Sequence, residues 1–172
     1  YVYHPAGFVN RNMSMEDSLS HYLRLLRIGS VALDPQTGAV RAWLGGSNFR
    51  YLPYDNVLAP KPTASTFKPL VFALALEKGE DPCSYQSAER QVYPNFNDWS
   101  PRNYDDSYAG YYSMTGALKR SVNTVTVKWL MEQSEEELVY LARKMGVEEK
   151  LPEGPSIALG TGSASPLEMA VV

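Results

Sequence analysis

Apolar residues recur at helical spacing over much of this chain and at alternate positions in one short region. Ser14 is placed to cap a helix whose one face carries Leu19, Tyr22, Leu23 and Leu26. Ser30 to Asp34 and Ala39 to Leu44 then alternate in polarity around a Pro35-to-Gly38 turn, which predicts a β-hairpin. Residues 47 to 64 are polar, aromatic and proline-rich and read as an irregular connection. A helix is expected from about Ser65 to Gly79, and Phe67, Leu70, Val71, Phe72, Leu74 and Leu76 make it apolar on every side, hence central and buried.

The second half is read the same way. Three prolines, several asparagines and six tyrosines in residues 80 to 112 predict a long ordered loop, suited to be a cleft wall. A short helix from Met114 to Arg120 leads to Ser121-Val122-Asn123, and another runs from Thr124 to Glu132, so the triplet sits at a helix junction. Ser134-Glu135-Glu136-Glu137 reads as a capping box opening a helix that carries Leu138, Leu141, Ala142 and Met145 and closes at Gly146. That reading assigns the glutamate run to structure.

Composition narrows the classes of function. A chain of 172 residues, 44% hydrophobic and 20% charged, builds one ordinary globular domain or part of one. A net charge of −3 without a lysine and arginine cluster disfavours nucleic acid and anionic membrane surfaces. The longest apolar run, Leu70 to Leu76, is seven residues, too short for a bilayer span, so any membrane anchor is expected outside this segment. Cys83 is the single cysteine, and His4 and His21 are the only histidines, so neither a disulfide, a metal site nor a cofactor is expected.

The candidate chemistry lies in Ser65-Thr66-Phe67-Lys68, followed 56 residues later by Ser121-Val122-Asn123. A serine and a lysine three apart at a helix start share a face, so the amine can reach the hydroxyl as its base. Lysine must first have its pKa lowered, which burial on this apolar helix would do. The helix start also offers backbone N–H groups and a positive dipole end to a developing oxyanion. Neither motif is specific alone, since 16 serines and 7 lysines predict roughly 0.65 S-x-x-K matches by chance. Ser65 as a capping residue with Lys68 reaching solvent, and Ser121 and Asn123 as cap and turn residues, are the ordinary alternatives. Trp99, Tyr104, Tyr108, Tyr111 and Tyr112 are assigned to packing before substrate contact.

The surroundings add specificity. Asp34-Pro35-Gln36-Thr37-Gly38-Ala39-Val40-Arg41-Ala42-Trp43-Leu44-Gly45-Gly46, Tyr54-Asp55-Asn56, Lys61-Pro62-Thr63-Ala64-Ser65-Thr66-Phe67-Lys68-Pro69, Pro101-Arg102-Asn103-Tyr104-Asp105, Ala117 to Asn123, Ala158-Leu159-Gly160 and Ser165-Pro166-Leu167-Glu168-Met169-Ala170 follow in order. Together they resemble the transpeptidase domain of the class A, bifunctional penicillin-binding proteins. The resemblance implies an α+β fold of the β-lactamase/transpeptidase type, helices packed on an antiparallel sheet, with residues 1–172 forming a partial domain truncated at the C-terminus. It implies that Ser65 is the nucleophile, Lys68 its base, Ser121 a proton relay and Asn123 a ligand for the substrate backbone. The partners implied are peptidoglycan stem peptides ending in D-Ala-D-Ala and β-lactam antibiotics, and the location is extracytoplasmic.

Two departures stand out. The residue before the nucleophile is Ala64 where the family has glycine, and no Lys-Thr-Gly or Lys-Ser-Gly occurs anywhere in the chain. Leu159-Gly160-Thr161-Gly162 is read as a loop, not as that third motif. A segment without it is expected to be inactive alone and to associate through exposed apolar surface. A class A β-lactamase-like hydrolase and a non-catalytic scaffold remain the alternative functions; no segment resembles the E-x-x-L-N loop of the former.

Overall fold

A computed structural model describes residues 2–4, 7–49 and 52–172. The chain divides into two compact units, Tyr1–Ala59 and Pro60–Val172. The fold is α+β, and among the described residues every sheet is an antiparallel pair of strands.

In the first unit, β1 (Val2–His4) pairs with β2 (Gly7–Val9), and helix α1 spans Met15–Leu23. Ser14 caps α1 as expected, its hydroxyl accepting from the Asp17 amide at 3.1 Å. The apolar face predicted for this helix has no fully buried residue, however: Tyr22 is half-buried, and Leu19, Leu23 and Leu26 are all exposed. Periodicity reported the helix but not a partner for it. β3 (Ser30–Leu33) and β4 (Val40–Leu44) form the predicted hairpin, whose turn is held by Asp34 accepting from the amides of Gln36 and Thr37 and from Arg41 at 2.7 Å. Of the predicted irregular connection, residues 50 and 51 lie outside the described residues; the rest of it in this unit contains neither helix nor strand.

In the second unit, β5 (Lys61–Pro62) precedes a 3₁₀ turn, Ala64–Phe67, that runs into helix α2 (Lys68–Glu77). Helix α2 is the centre of the core: Leu70, Val71, Phe72, Leu74 and Ala75 are buried, and only Leu76 of the predicted apolar set is substantially exposed. It packs against α3 (Met114–Arg120), α4 (Asn123–Met131) and α5 (Glu135–Met145). Helix α4 contributes Val125, Val127, Trp129 and Leu130 to this core, and α5 contributes Leu138, Leu141 and Ala142.

Residues 80–112 are not simply a loop. β6 (Tyr85–Ser87) pairs with β7 (Tyr111–Ser113), so the segment is pinned at both ends, and a Tyr93–Trp99 bridge closes a smaller turn within it. Three-residue strands are too short for alternation to reveal them. The Ser134 hydroxyl accepts from the Glu137 amide, but the Glu137 carboxylate turns away to Lys78. The complete capping box stands instead at Ser165 and Glu168, opening α6 (Pro166–Val171).

Residues 159–164 are also more than a connection. β8 (Ser163–Ala164) pairs with β5, and the amides of Thr63 and Ala64 donate to the carbonyls of Gly162 and Gly160 at 3.0 and 2.9 Å. Gly160 sits at φ +70°, and a Cβ there would stand 1.9 Å from the Ala64 carbonyl oxygen. Only glycine lets the two strands of backbone approach this closely. Gly160→Ala should therefore cost at least about 1–2 kcal/mol from the left-handed conformation alone, with more from displacement of the Ala64 turn. Urea denaturation of the variant measures this, and an unchanged midpoint would contradict the packing described.

Candidate active site

All four residues expected to carry chemistry lie in the second unit, and the fold brings them together. Ser65 is exposed on the 3₁₀ turn, two residues past Thr63, whose backbone and hydroxyl are tied to Gly160 and Gly162. Ala64 between them has φ +48°, a conformation that glycine adopts freely and alanine does not. The departure noted at this position thus falls on a strained backbone site. Strain of this kind concentrates where a side chain must be held in one direction.

Lys68 opens α2 and is completely buried. Its ammonium donates to the Ser121 carbonyl at 2.7 Å, to Ser121 Oγ at 2.9 Å and to Asn123 Oδ1 at 2.5 Å. Three donors meet three acceptors, so the protonated amine is fully satisfied. Loss of solvent nevertheless disfavours its charge, and burial pulls its pKa down from 10.5 to about 8. Lys68 therefore does not reach for solvent.

The expectation that amine and nucleophile meet directly is not what the structure shows. Ser65 Oγ accepts from Ser121 Oγ at 3.0 Å, and Ser121 in turn accepts from Lys68. Ser121 thus stands between them. It caps α3 in the left-handed conformation, φ +55°, which turns its side chain and its carbonyl toward the same amine. Val122 follows as a buried anchor, and Asn123 begins α4 one residue earlier than predicted.

Asn123 is occupied at both ends of its carboxamide. Its oxygen faces Lys68, and its Nδ2 donates to the Arg102 carbonyl at 2.6 Å. Arg102 belongs to a loop braced by Asp106, which accepts from the Arg102 guanidinium at 3.1 Å and from the Tyr108 hydroxyl at 3.0 Å. Those two bonds, the tyrosine's first, hold the Asp106 carboxyl below its ordinary pKa. A cleft of about 520 Å³ opens over the cluster, lined by Ser65, Ser121 and Asn123 on one side and by Tyr104, Asp105 and Tyr112 among its other walls. Tyr104 and Tyr112 thus border the cleft, whereas Trp99 packs on Tyr93 at the edge of the core. No sequence signal marks the Arg102 carbonyl, because a backbone direction leaves no residue type behind.

Nothing in this arrangement provides a metal centre, since among the described residues no group of three histidine, cysteine or carboxylate side chains converges. The chemistry on offer is that of a nucleophilic hydroxyl joined through a second hydroxyl to a buried amine of lowered pKa.

Comparison with known proteins points the same way. The family described as the penicillin binding protein transpeptidase domain matches residues 28–161. Penicillin-binding protein 1A of Neisseria gonorrhoeae is 36% identical over 156 residues, covering 85% of this chain and 19% of the relative. Penicillin-binding protein 2D of Bacillus subtilis is 34% identical over 149 residues, covering 84% of this chain and 22% of the relative. The chain therefore spans about a fifth of the length of these relatives. Among solved structures, penicillin-binding protein 1A from Haemophilus influenzae superposes with a TM-score of 0.78 at 24% identity, over 83% of this chain and 22% of that one. PonA1 from Mycobacterium tuberculosis, in complex with penicillin V, gives 0.73 at 22% identity, over 89% and 45%. With the family matched across more than half of its residues, the chain belongs to the penicillin-binding-protein transpeptidase domain family.

Proposed function

We propose that the protein carrying this chain is a serine D,D-transpeptidase that cross-links peptidoglycan outside the cytoplasm and is acylated by β-lactams. The observation that carries this reading is the relay Ser65 Oγ–Ser121 Oγ–Lys68 Nζ, with links of 3.0 and 2.9 Å. The arrangement drawn in the structure is that of protonated Lys68. When the amine is neutral, the two hydroxyls reverse: Ser65 donates to Ser121, and Ser121 donates to the lysine lone pair. With a pKa of about 8, roughly one amine in ten is in that state at pH 7.

Ser65 Oγ then attacks the carbonyl of the penultimate D-alanine of a stem peptide, and its proton passes through Ser121 to Lys68. The Ala64 and Thr66 amides are committed to the Gly160 and Thr63 carbonyls, so within this turn it is the Ser65 amide, on the nucleophile itself, that this reading assigns to the oxyanion. Collapse of the tetrahedral intermediate breaks the C–N bond, and the proton returns from Lys68 to the departing D-alanine amine. An amine of a neighbouring stem next attacks the Ser65 ester, forming the cross-link and restoring the hydroxyl. A β-lactam enters the same first step, but its opened ring stays attached. The family match and the penicillin-binding relatives support this reading.

Mass spectrometry of the full-length protein after benzylpenicillin should show one adduct, on the peptide containing Ser65, and none in Ser65→Ala. An adduct that survives the substitution would remove Ser65 from the mechanism. Lys68→Arg should slow acylation by at least about 10²-fold, because a guanidinium holds its proton throughout the working pH range.

The neutral amine is the active form, so the acylation rate should climb about tenfold per pH unit below pH 8 and level off above it. Rates measured from pH 6 to 9.5 test the sign; a flat profile is incompatible with Lys68 as base. The 172-residue chain alone, which contains no Lys-Thr-Gly or Lys-Ser-Gly, should take up no stoichiometric label, and labelling of the purified monomer would refute the need for that third motif.

A further inference from the structure

Helix α4 starts without a cap of its own. Val122 occupies the N-cap position and has no oxygen to offer the first-turn amides. The missing acceptor comes from 21 residues away: Asn103 Oδ1 accepts from the Thr124 amide at 3.1 Å. The other end of the same carboxamide donates to the Ser107 carbonyl at 2.8 Å and to Thr124 Oγ1 at 3.2 Å. Thr124 Oγ1 in turn donates to the Ala88 carbonyl at 3.0 Å. Asn103 and Thr124 are both buried, and the bonds between them and to Ala88 are shielded from water, while the bond to Ser107 reaches the loop surface.

The consequence is felt one residue away on each strand of chain. Asn103 follows Arg102, and Thr124 follows Asn123. Locking 103 to 124 therefore holds the Arg102 carbonyl against Asn123 Nδ2, at 2.6 Å. That contact is one of the two that set which way the Asn123 carboxamide points, the other being the Lys68 amine. Reversed, its NH₂ would face the Lys68 ammonium and its oxygen would face another carbonyl oxygen, two like-with-like contacts at 2.5 and 2.6 Å. Without the Arg102 carbonyl only one of those two penalties remains.

We propose that Asn103, acting with Thr124, is a positioning residue of the acylation cluster: it fixes the Arg102 carbonyl and thereby the orientation of Asn123 toward Lys68. This rests on the reading of Ser65, Lys68, Ser121 and Asn123 as that cluster. Asn103 itself touches neither the nucleophile nor the amine.

The test is β-lactam acylation of the full-length protein, followed by stopped flow and mass spectrometry so that the rate constant per competent site and the fraction of competent sites are read separately. Asn103→Ala is expected to lower the rate constant roughly tenfold to a hundredfold at near-full labelling amplitude, the range that small misplacements of catalytic groups produce. A purely structural role would reduce the amplitude and leave the rate constant of the remaining sites unchanged, which would overturn the proposal. In a double-mutant cycle, Asn103→Ala added to Asn123→Ala should slow acylation by less than about threefold beyond Asn123→Ala alone, because the two act on one contact. Effects that multiply in full would also overturn it.

Should Asn103→Ala fail to fold, Thr124→Val and Thr124→Ser decide the matter. Valine keeps the shape and loses the hydroxyl link, so the rate constant should fall; serine keeps the hydroxyl and should restore it. Equal rates in the two would refute the proposal. If the parent protein is not acylated at Ser65 at all, it is the function above that fails, and the wild-type control separates the two cases.

Discussion

A buried ammonium is the constraint around which the second unit is organised. Lys68 lies on the most apolar helix of the chain, completely out of solvent, where an unmatched charge would cost several kcal/mol. It is matched by three oxygens, all from residues 121–123. The junction between α3 and α4 therefore has no freedom to slide: a shift of one residue would remove a serine hydroxyl, a carbonyl and a carboxamide oxygen from the amine together. Burial of Val122 pins the same junction from the apolar side. The polar knot and the hydrophobic core thus specify one another, and the lowered basicity of the amine is the by-product of that arrangement.

What the sequence made legible is the set of side chains whose types are demanded by chemistry or by helix geometry. Ser65, Lys68, Ser121 and Asn123 do converge, the α2 helix is central, and Ser14 and Ser134 cap the helices assigned to them. What stayed hidden depends on tertiary placement. β6 and β7 are three residues each and meet only because the chain between them doubles back. Glu137 forms half of the expected capping box because Lys78 offers its carboxylate a charge. The family resemblance implied a proton-relay role for Ser121, but the placing of its hydroxyl between Ser65 and Lys68 had no sign in the sequence. Asn103 was visible within a motif, yet its service as the cap of a helix 20 residues away had no local sign.

Backbone strain is distributed with equal purpose. Ala64 and Ser121 both hold φ near +50°, one beside Ser65 and the other carrying the hydroxyl that meets it. Neither position is self-supporting. The first is clamped by Gly160 and Gly162, whose carbonyls take the amides of Ala64 and Thr63, and the second by its hydrogen bonds to Lys68 and by the return of the Val122 amide to the Ala117 carbonyl at 2.9 Å. Two strained turns held by separate contacts deliver two hydroxyl oxygens to 3.0 Å of each other.

The left-handed backbone at Ser121 has a consequence for sequence variation. Threonine supplies a hydroxyl with the same donor and acceptor capacity and would serve the proposed relay chemically. Its branched Cβ, however, is among the side chains least tolerated at positive φ, while asparagine and glycine, which accept that conformation, bring no hydroxyl. The chemically equivalent replacement is barred by conformation and the conformationally easy ones by chemistry. Under the proposed relay, serine is the side chain that meets both demands at once, a hydroxyl and a small unbranched Cβ at positive φ.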